Sequence, residues 1–277
     1  MSKLSEEQLN ALKELSYWDT LKDIVKLYEV GILTQEKFND EILKAREEYK
    51  PEPIIDMVFV EGGTFEMGDE INDLMENCWP EHSVTISDFY IGKTEVTQAQ
   101  YKAVMGTNPS RFKGDNLPVE EVSWCDAVEF CKKLSEMEGV TYRLSTEAEW
   151  EYAARGGNES RGYKYSGSND INDVAWYVEN SGDKTHPVRT KQPNELGIYD
   201  MSGNVWEWCS DRYGSYLSRS QTNPMGTNSG TTRVVRGGTC SHGCSRCRVA
   251  DRYEFNPYSS CFYLGFRVAR TALNKKC

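Results

Sequence analysis

The chain has 277 residues, 38% of them hydrophobic and 12% aromatic, enough for one large domain with a small appendage. A formal net charge of −11 lacks the basic face that a general nucleic-acid binder needs, and it disfavours docking on an anionic membrane surface. No run of about 18 apolar residues exists to span a bilayer. The start, Met1-Ser2-Lys3-Leu4-Ser5-Glu6-Glu7, carries no export signal, so the chain as written is expected in the cytoplasm, or at the cell surface or secreted if its N-terminus is truncated.

Residues 1–50 read as a helical hairpin. Leu9, Leu12, Leu15, Leu21, Ile24, Val25, Leu27 and Tyr28 recur at helical spacing. Gly31 ends this helix, and Thr34 opens a second through Phe38, Ile42 and Ala45. LYEVGILTQEKFNDEILKAR resembles a short helix-turn-helix module attached to many bacterial proteins, with Lys37 replacing the usual acidic residue before Phe38. Such a hairpin caps a main domain or mediates self-association. Pro51-Glu52-Pro53 breaks it, and residues 51–56 form a linker.

From Met57 the texture changes to short strands and turns. Residues 57–60 and 63–68 read as an opening hairpin turning at Gly62-Gly63, with further strands at 84–86 and 89–91. Thr97 is expected to cap a helix to Met105. Residues 123–138 form a second, with Val128, Cys131 and Leu134 inward. Ser145 or Thr146 caps a third, whose Trp150, Ala153 and Ala154 pack inward while Glu147, Glu149 and Glu151 lie on or near the surface. After Gly156 the pattern is loops with isolated strands up to Arg270, followed by a tail at 271–277. Trp206 and Trp208 share one strand face and Glu207 takes the other. Arg236, Arg248, Arg252 and Arg267 are expected to hold loops through backbone carbonyls.

Nine cysteines cannot all pair internally, and the single C-x-x-C, Cys244 to Cys247, has no counterpart at zinc-site spacing. Most are expected to be reduced thiols that pack as small hydrophobes. Residues 239–263 read TCSHGCSRCRVADRYEFNPYSSCFY and hold four of the nine. The stretch has no Lys, Gln, Met or Trp and one Glu, Glu254, although the chain contains 8 Met and 7 Trp. Almost all its residue types are reached by changing the first two letters of codons that end in a pyrimidine. Interchangeable side chains on a fixed backbone produce that alphabet; selection for packing does not.

A series of motifs runs through residues 55–270. It comprises Gly62-Gly63-Thr64-Phe65-Glu66-Met67-Gly68, Pro118-Val119-Glu120-Glu121-Val122-Ser123-Trp124 and the run from Tyr142 to Gly157. It continues with Gly203-Asn204-Val205-Trp206-Glu207-Trp208, Arg236-Gly237-Gly238 and Leu264-Gly265-Phe266-Arg267. In content and order these resemble the formylglycine-generating-enzyme, or sulfatase-modifying factor, family. The resemblance implies an irregular α+β domain over residues 57–270, related to the C-type lectin fold. It also implies oxygen ligands for a structural calcium ion at Asp200, Asn204 and Glu207, against which stands a plain salt bridge to Arg143 or Arg236.

The family's enzymes oxidise a substrate cysteine with two copper-binding cysteines set five residues apart, just after the Arg236-Gly237-Gly238 equivalent. Here that stretch is about three residues shorter, Cys240 and Cys244 are four apart, and the neighbouring tyrosines are missing. A copper site needs two thiolates at fixed geometry, so no copper and no catalytic residue are expected. An iron site of other members needs histidines beyond His82, His186 and His242, the three present.

A second branch, the variable proteins of diversity-generating retroelements, matches better. Its fixed positions correspond to Arg248-Val249-Ala250, Arg252, Pro257 and Leu264-Gly265-Phe266-Arg267, with a departure at Cys240 where members carry Trp. In these proteins a reverse transcriptase mutates template adenines, so Asn-type codons never become Lys, Gln, Met, Trp or Glu. The resemblance implies a ligand site made of Cys240, Ser241, His242, Gly243, Ser245, Arg246, Asp251, Tyr253, Phe255, Tyr258, Ser259, Ser260, Cys261, Phe262 and Tyr263. Tyr253, Tyr258 and Tyr263 are its expected anchors. Core packing is the competing reading for each aromatic, and Phe266 is assigned to the core. The expected partner is a macromolecule, protein or glycan, with no required cofactor and oligomeric state open. A cysteine oxidase, or a regulatory module acting through the N-terminal hairpin, remain the alternatives.

Overall fold

The computed structural model describes residues 19–20, 22–48, 54–69 and 76–272. Leu9, Leu12, Leu15, Leu21, the 51–53 break and the tail beyond 272 lie outside them. The chain divides into two compact units between Ile54 and Ile55. In the first, helix α1 (22–29) and helix α2 (Gln35–Glu48) are joined through Gly31 at φ 75°. Thr34 Oγ1 accepts the Lys37 amide, and the Tyr28 and Phe38 rings meet at 4.5 Å.

Among the described residues, the second unit carries three sheets. Strands β1 (Met57–Val60), β4 (Phe89–Gly92), β5 (Arg143–Leu144) and β11 (Val268–Thr271) form one, in the order β1-β4-β11-β5. Strands β2 (Gly63–Met67), β3 (His82–Ile86) and β7 (Gln221–Thr222) form another. The third joins β6 (Trp206–Arg212), β8 (Arg233–Arg236), β9 (Arg252–Phe255) and β10 (Leu264–Gly265) in the order β10-β6-β8-β9. The strands expected after Gly156 are therefore not isolated. Nor do β1 and β2 make a hairpin: Met57 pairs with Gly92, and Gly63 with Ile86. Gly62 explains the step between sheets, because a Cβ there would lie 2.4 Å from the Ile86 carbonyl.

Helices α3 (Gln98–Met105), α4 (Trp124–Glu138) and α5 (Glu147–Ala154) start at Thr97, Ser123 and Thr146, each with a reciprocal capping box. The buried stripe of α4 is Ala127, Phe130, Cys131 and Leu134, spaced i, i+3, i+4, i+7, while Val128 is 39% exposed. Phe130 stacks on Tyr101 of α3 at 5.5 Å and meets Phe266 edge-on at 5.2 Å.

Helix α5 is buried on every side. Glu147, Glu149 and Glu151 are not on the surface, because each faces an arginine: Arg252 binds Glu147 with two bonds of 2.7 Å, Arg143 binds Glu149, and Arg155 and Arg236 bind Glu151. Buried carboxylates persist only when compensated in this way. Short helices α6 (Ile171–Val174) and α7 (Val178–Ser181) complete the unit. No helix among the described residues is long and apolar enough to cross a membrane.

Candidate ligand-binding site

The run from 237 to 263 alternates between anchoring and display. It leaves β8 through Gly238, at φ 78°, where a Cβ would lie 2.5 Å from the Arg246 carbonyl, so the following loop folds tightly back on itself. Cys247, Arg248, Val249, Ala250 and Arg252 are all buried. Arg236 donates to the Ala250 and Asp251 carbonyls, Arg252 to those of Asn77 and Gly214, and Arg267 to those of Gly92 and Tyr199. These three arginines thus hold loops through carbonyls as expected, and each also pairs with a buried carboxylate, Glu151, Glu147 and Glu207 respectively. Arg248 instead binds the Asp69 carboxylate at 2.9 Å.

Between those anchors the side chains turn outward. Gly243, Ser245, Tyr253, Tyr258 and Ser260 are exposed; Ser241, His242, Arg246, Phe255, Ser259, Cys261, Phe262 and Tyr263 are half-buried. Five of their rings form a connected surface, and Tyr258 stands exposed beside them in sequence. His242 meets Tyr263 at 5.6 Å, Tyr263 meets Phe262 at 4.8 Å and Phe255 at 6.5 Å, and Phe255 meets Tyr253 at 5.4 Å. Beneath lie buried Trp206, near His242 and Tyr253, and buried Trp208, near Phe255. Arg246 sits over Tyr253 at 5.3 Å. Burial, with Arg246 nearby, pushes the His242 imidazole below its ordinary pKa, so the ring is neutral at physiological pH.

Two members of the expected set do not belong to this face. Cys240 is fully buried, because its amide donates to the Asn204 carbonyl and its own carbonyl accepts the Ser181 hydroxyl at 2.6 Å, pinning it at the base of the loop. Asp251 is 2% exposed and lies below Arg246, 3.6 Å from its guanidinium. Conversely, Arg111 and Phe112 join the patch from the segment after α3: Phe112 meets Phe262 at 5.9 Å, and Arg111 lies 4.9 Å over the Phe262 ring. They stand far from residues 239–263 in sequence, and nothing in their local pattern marks them.

The cysteines do not form a matched pair. Cys240 is buried while Cys244 is exposed. Burial pushes the Cys240 thiol up to about 11 and that of buried Cys247 higher still, so both hold their protons. Among the described residues no group of three or more His, Cys, Asp or Glu side chains is placed to hold a metal ion.

The oxygens named for calcium are committed to the protein. Glu207 is gripped by Arg267 through two bonds of 2.6 Å and accepts from the Trp150 indole at 2.7 Å. Its partner is therefore Arg267, and neither Arg143 nor Arg236. Asn204 accepts from the His186 amide and donates to Glu95, while Asp200 accepts from the Arg189 amide. The residues present do not fit a calcium ion. Burial pushes Asp200 up to about 6, and burial with Asp200 and Glu207 close by raises Glu95 as well.

The family model for a sulfatase-modifying factor enzyme 1-like domain matches residues 44–272. A formylglycine-generating enzyme of Streptomyces coelicolor is 31% identical over 294 aligned residues, covering 80% of this chain and 91% of that protein. A chaperone protein LppX of Paenibacillus barcinonensis is 42% identical over 204 residues, covering 56% of this chain and 70% of that one. Treponema denticola variable protein 1 superposes with a TM-score of 0.73 at 33% identity, covering 78% of this chain and 95% of that structure.

Proposed function

Since the chain belongs to the sulfatase-modifying factor enzyme 1-like family and has its irregular α+β, C-type-lectin-like fold, we propose that it is a non-catalytic, receptor-like binding protein. Its site is the displayed face of residues 241–263, diversified by a retroelement, and its ligand is a macromolecule, protein or glycan. The observation that carries this reading is the division of labour in the final strands. Ion-paired arginines and buried aliphatics hold the backbone, while the residues between them present a contiguous aromatic surface on which few fold contacts depend. Tyr and Arg on such a face supply large contact area at low entropic cost. The similarity to a variable protein of Treponema denticola supports the same reading.

The alternative, a cysteine oxidase like the formylglycine-generating relatives, needs two accessible thiolates, and Cys240 is buried. The test is a library randomised together at Ser241, His242, Ser245, Tyr253, Phe255, Tyr258, Phe262 and Tyr263. Most members are expected to keep cooperative unfolding, whereas a library at Arg236, Arg252 and Arg267 loses it. Oxidation of a cysteine peptide by the copper-loaded wild-type chain, abolished by Cys240→Ala or Cys244→Ala, would replace this reading with the enzymatic one.

A further inference from the structure

A cavity of about 510 Å³ shares none of the displayed residues of the aromatic surface. Its floor is His82 of β3, Glu147 and Ala148 at the start of α5, Asp211 near the end of β6, and Arg252 of β9. Eleven residues between Gly214 and Ser229 complete the lining, and the volume falls in the range of small-molecule sites. The Gly226 turn presses directly on the floor, since a Cβ there would lie 2.8 Å from Asp211 Cβ.

The charge of the lining runs against that of the chain. Arg212, Arg219 and Arg252 face Glu147 and Asp211 on a molecule of net charge −11. Arg252 and Glu147 neutralise each other through two bonds of 2.7 Å. That leaves the exposed Arg212 and Arg219 at the rim against Asp211, which is buried, with one oxygen taken up by the Glu147 amide and the Ser210 hydroxyl. Arg212 gives one N–H to the Gly230 carbonyl and keeps the rest of its donor set. Ser215, Gln221, Thr227 and Asn228 add neutral hydrogen-bonding groups, and Met67 and Leu217 add apolar surface.

We infer that this cavity is a second binding site, for a monosaccharide bearing a carboxylate or phosphate. The two rim guanidinia take the anionic group, the neutral polar groups take the hydroxyls, and the apolar residues meet the ring face. Burial, together with Glu147, raises the Asp211 carboxyl to about 7, so it is about half protonated at neutrality and repels the anion less than an ordinary carboxylate would.

The test is calorimetric titration of the full chain with glucuronate and with glucose 6-phosphate, using glucose as the neutral comparison. Saturable binding of at least one anion is expected, roughly tenfold tighter than glucose, the scale of one lost charge-assisted hydrogen bond. Arg212→Ala and Arg219→Ala, both at exposed positions that leave the fold intact, are each expected to weaken it by a similar factor. Tyr253→Ala, on the aromatic face, is expected to leave it unchanged, which separates this site from the proposed receptor surface. The inference is overturned if neither anion binds, if glucose binds as tightly, or if the arginine variants bind like wild type. Saturable glucuronate without glucose 6-phosphate, or the reverse, identifies the anionic group that the rim accepts.

Discussion

The ring of Tyr253 lies 6.2 Å from that of Trp206 and within 20° of parallel, yet Tyr253 is 40% exposed and Trp206 is 1% exposed. One ring is displayed and the other supports it. Removing the two rings should therefore cost very different amounts of stability. Trp206→Ala opens a cavity beneath the sheet and is expected to cost about 3–5 kcal/mol of stability. Tyr253→Ala trims a ring at the solvent boundary and is expected to cost less than about 1 kcal/mol. Urea denaturation of both variants measures the contrast, and equal losses would mean that Tyr253 belongs to the core.

Glu151 and Arg236, like Glu207 and Arg267, form a fully buried arginine–carboxylate contact. Burial alone would raise the Glu151 carboxyl, but Arg155 and Arg236 outweigh it and hold the group below its ordinary value. Glu151→Gln removes the nearer carboxylate and leaves buried Arg236 only the 3.5 Å contact with the Glu147 carboxylate, with an expected loss of about 3 kcal/mol. The exposed pair of Lys22 and Asp19 offers a contrast, since Lys22→Ala should change stability by no more than about 1 kcal/mol. Both are read from urea midpoints.

Where the physics is local, the sequence carried it. Thr97 and Thr146 cap their helices through contacts three residues away, and that spacing is visible in one dimension. The exposure of Tyr253 and Tyr258 between buried Arg252 and Leu264 likewise followed from the fixed positions around them. Where the partner is remote, the reading failed. Glu147 and Glu151 look like a solvated helix face until Arg252 and Arg236 arrive from 105 and 85 residues away. The β1–β2 hairpin failed for the same reason, since Gly92 and Ile86 compete for those strands only in three dimensions. Cys240 and Asp251 show that a residue alphabet does not separate displayed positions from buried ones when the backbone decides which way each side chain points.

Asp211 links pH to stability. Burial first, then the neighbouring Glu147, raises its carboxyl from an ordinary 3.8 to about 7. Between those values the folded chain keeps a proton that the unfolded chain has released, so stability falls as pH rises from about 4 to about 7. Asp251 and Asp200, raised to about 7 and about 6, act in the same direction. Asp211→Asn cannot ionise and escapes its share of the fall. Between pH 4 and pH 8 the variant is expected to gain on wild type by on the order of 3 kcal/mol. Urea titrations at both pH values check this, and a stability difference that stays constant would mean that Asp211 ionises as it does in the unfolded chain.

Thiol chemistry tests the geometry at the base of the displayed loop. The thiolate is the reactive form, and buried thiols in apolar surroundings keep their protons. Cys125 and Cys244 are exposed, whereas Cys78, Cys131, Cys209, Cys240 and Cys247 are buried. Burial lifts Cys240 to about 11 and both Cys78 and Cys131 to about 12. Iodoacetamide at pH 7.5 is expected to modify Cys125 and Cys244 first and to reach the five buried thiols only after urea is added, with peptide mass spectrometry giving the order. Cys240 decides the matter, because it and Cys244 are the two thiols that the oxidase alternative would have to use together. Alkylation of Cys240 as fast as Cys244 would put both sulfurs at the surface and return the oxidase reading to the front; protection of Cys240 until unfolding leaves Cys244 without Cys240 as an equally accessible partner, as the proposed reading requires.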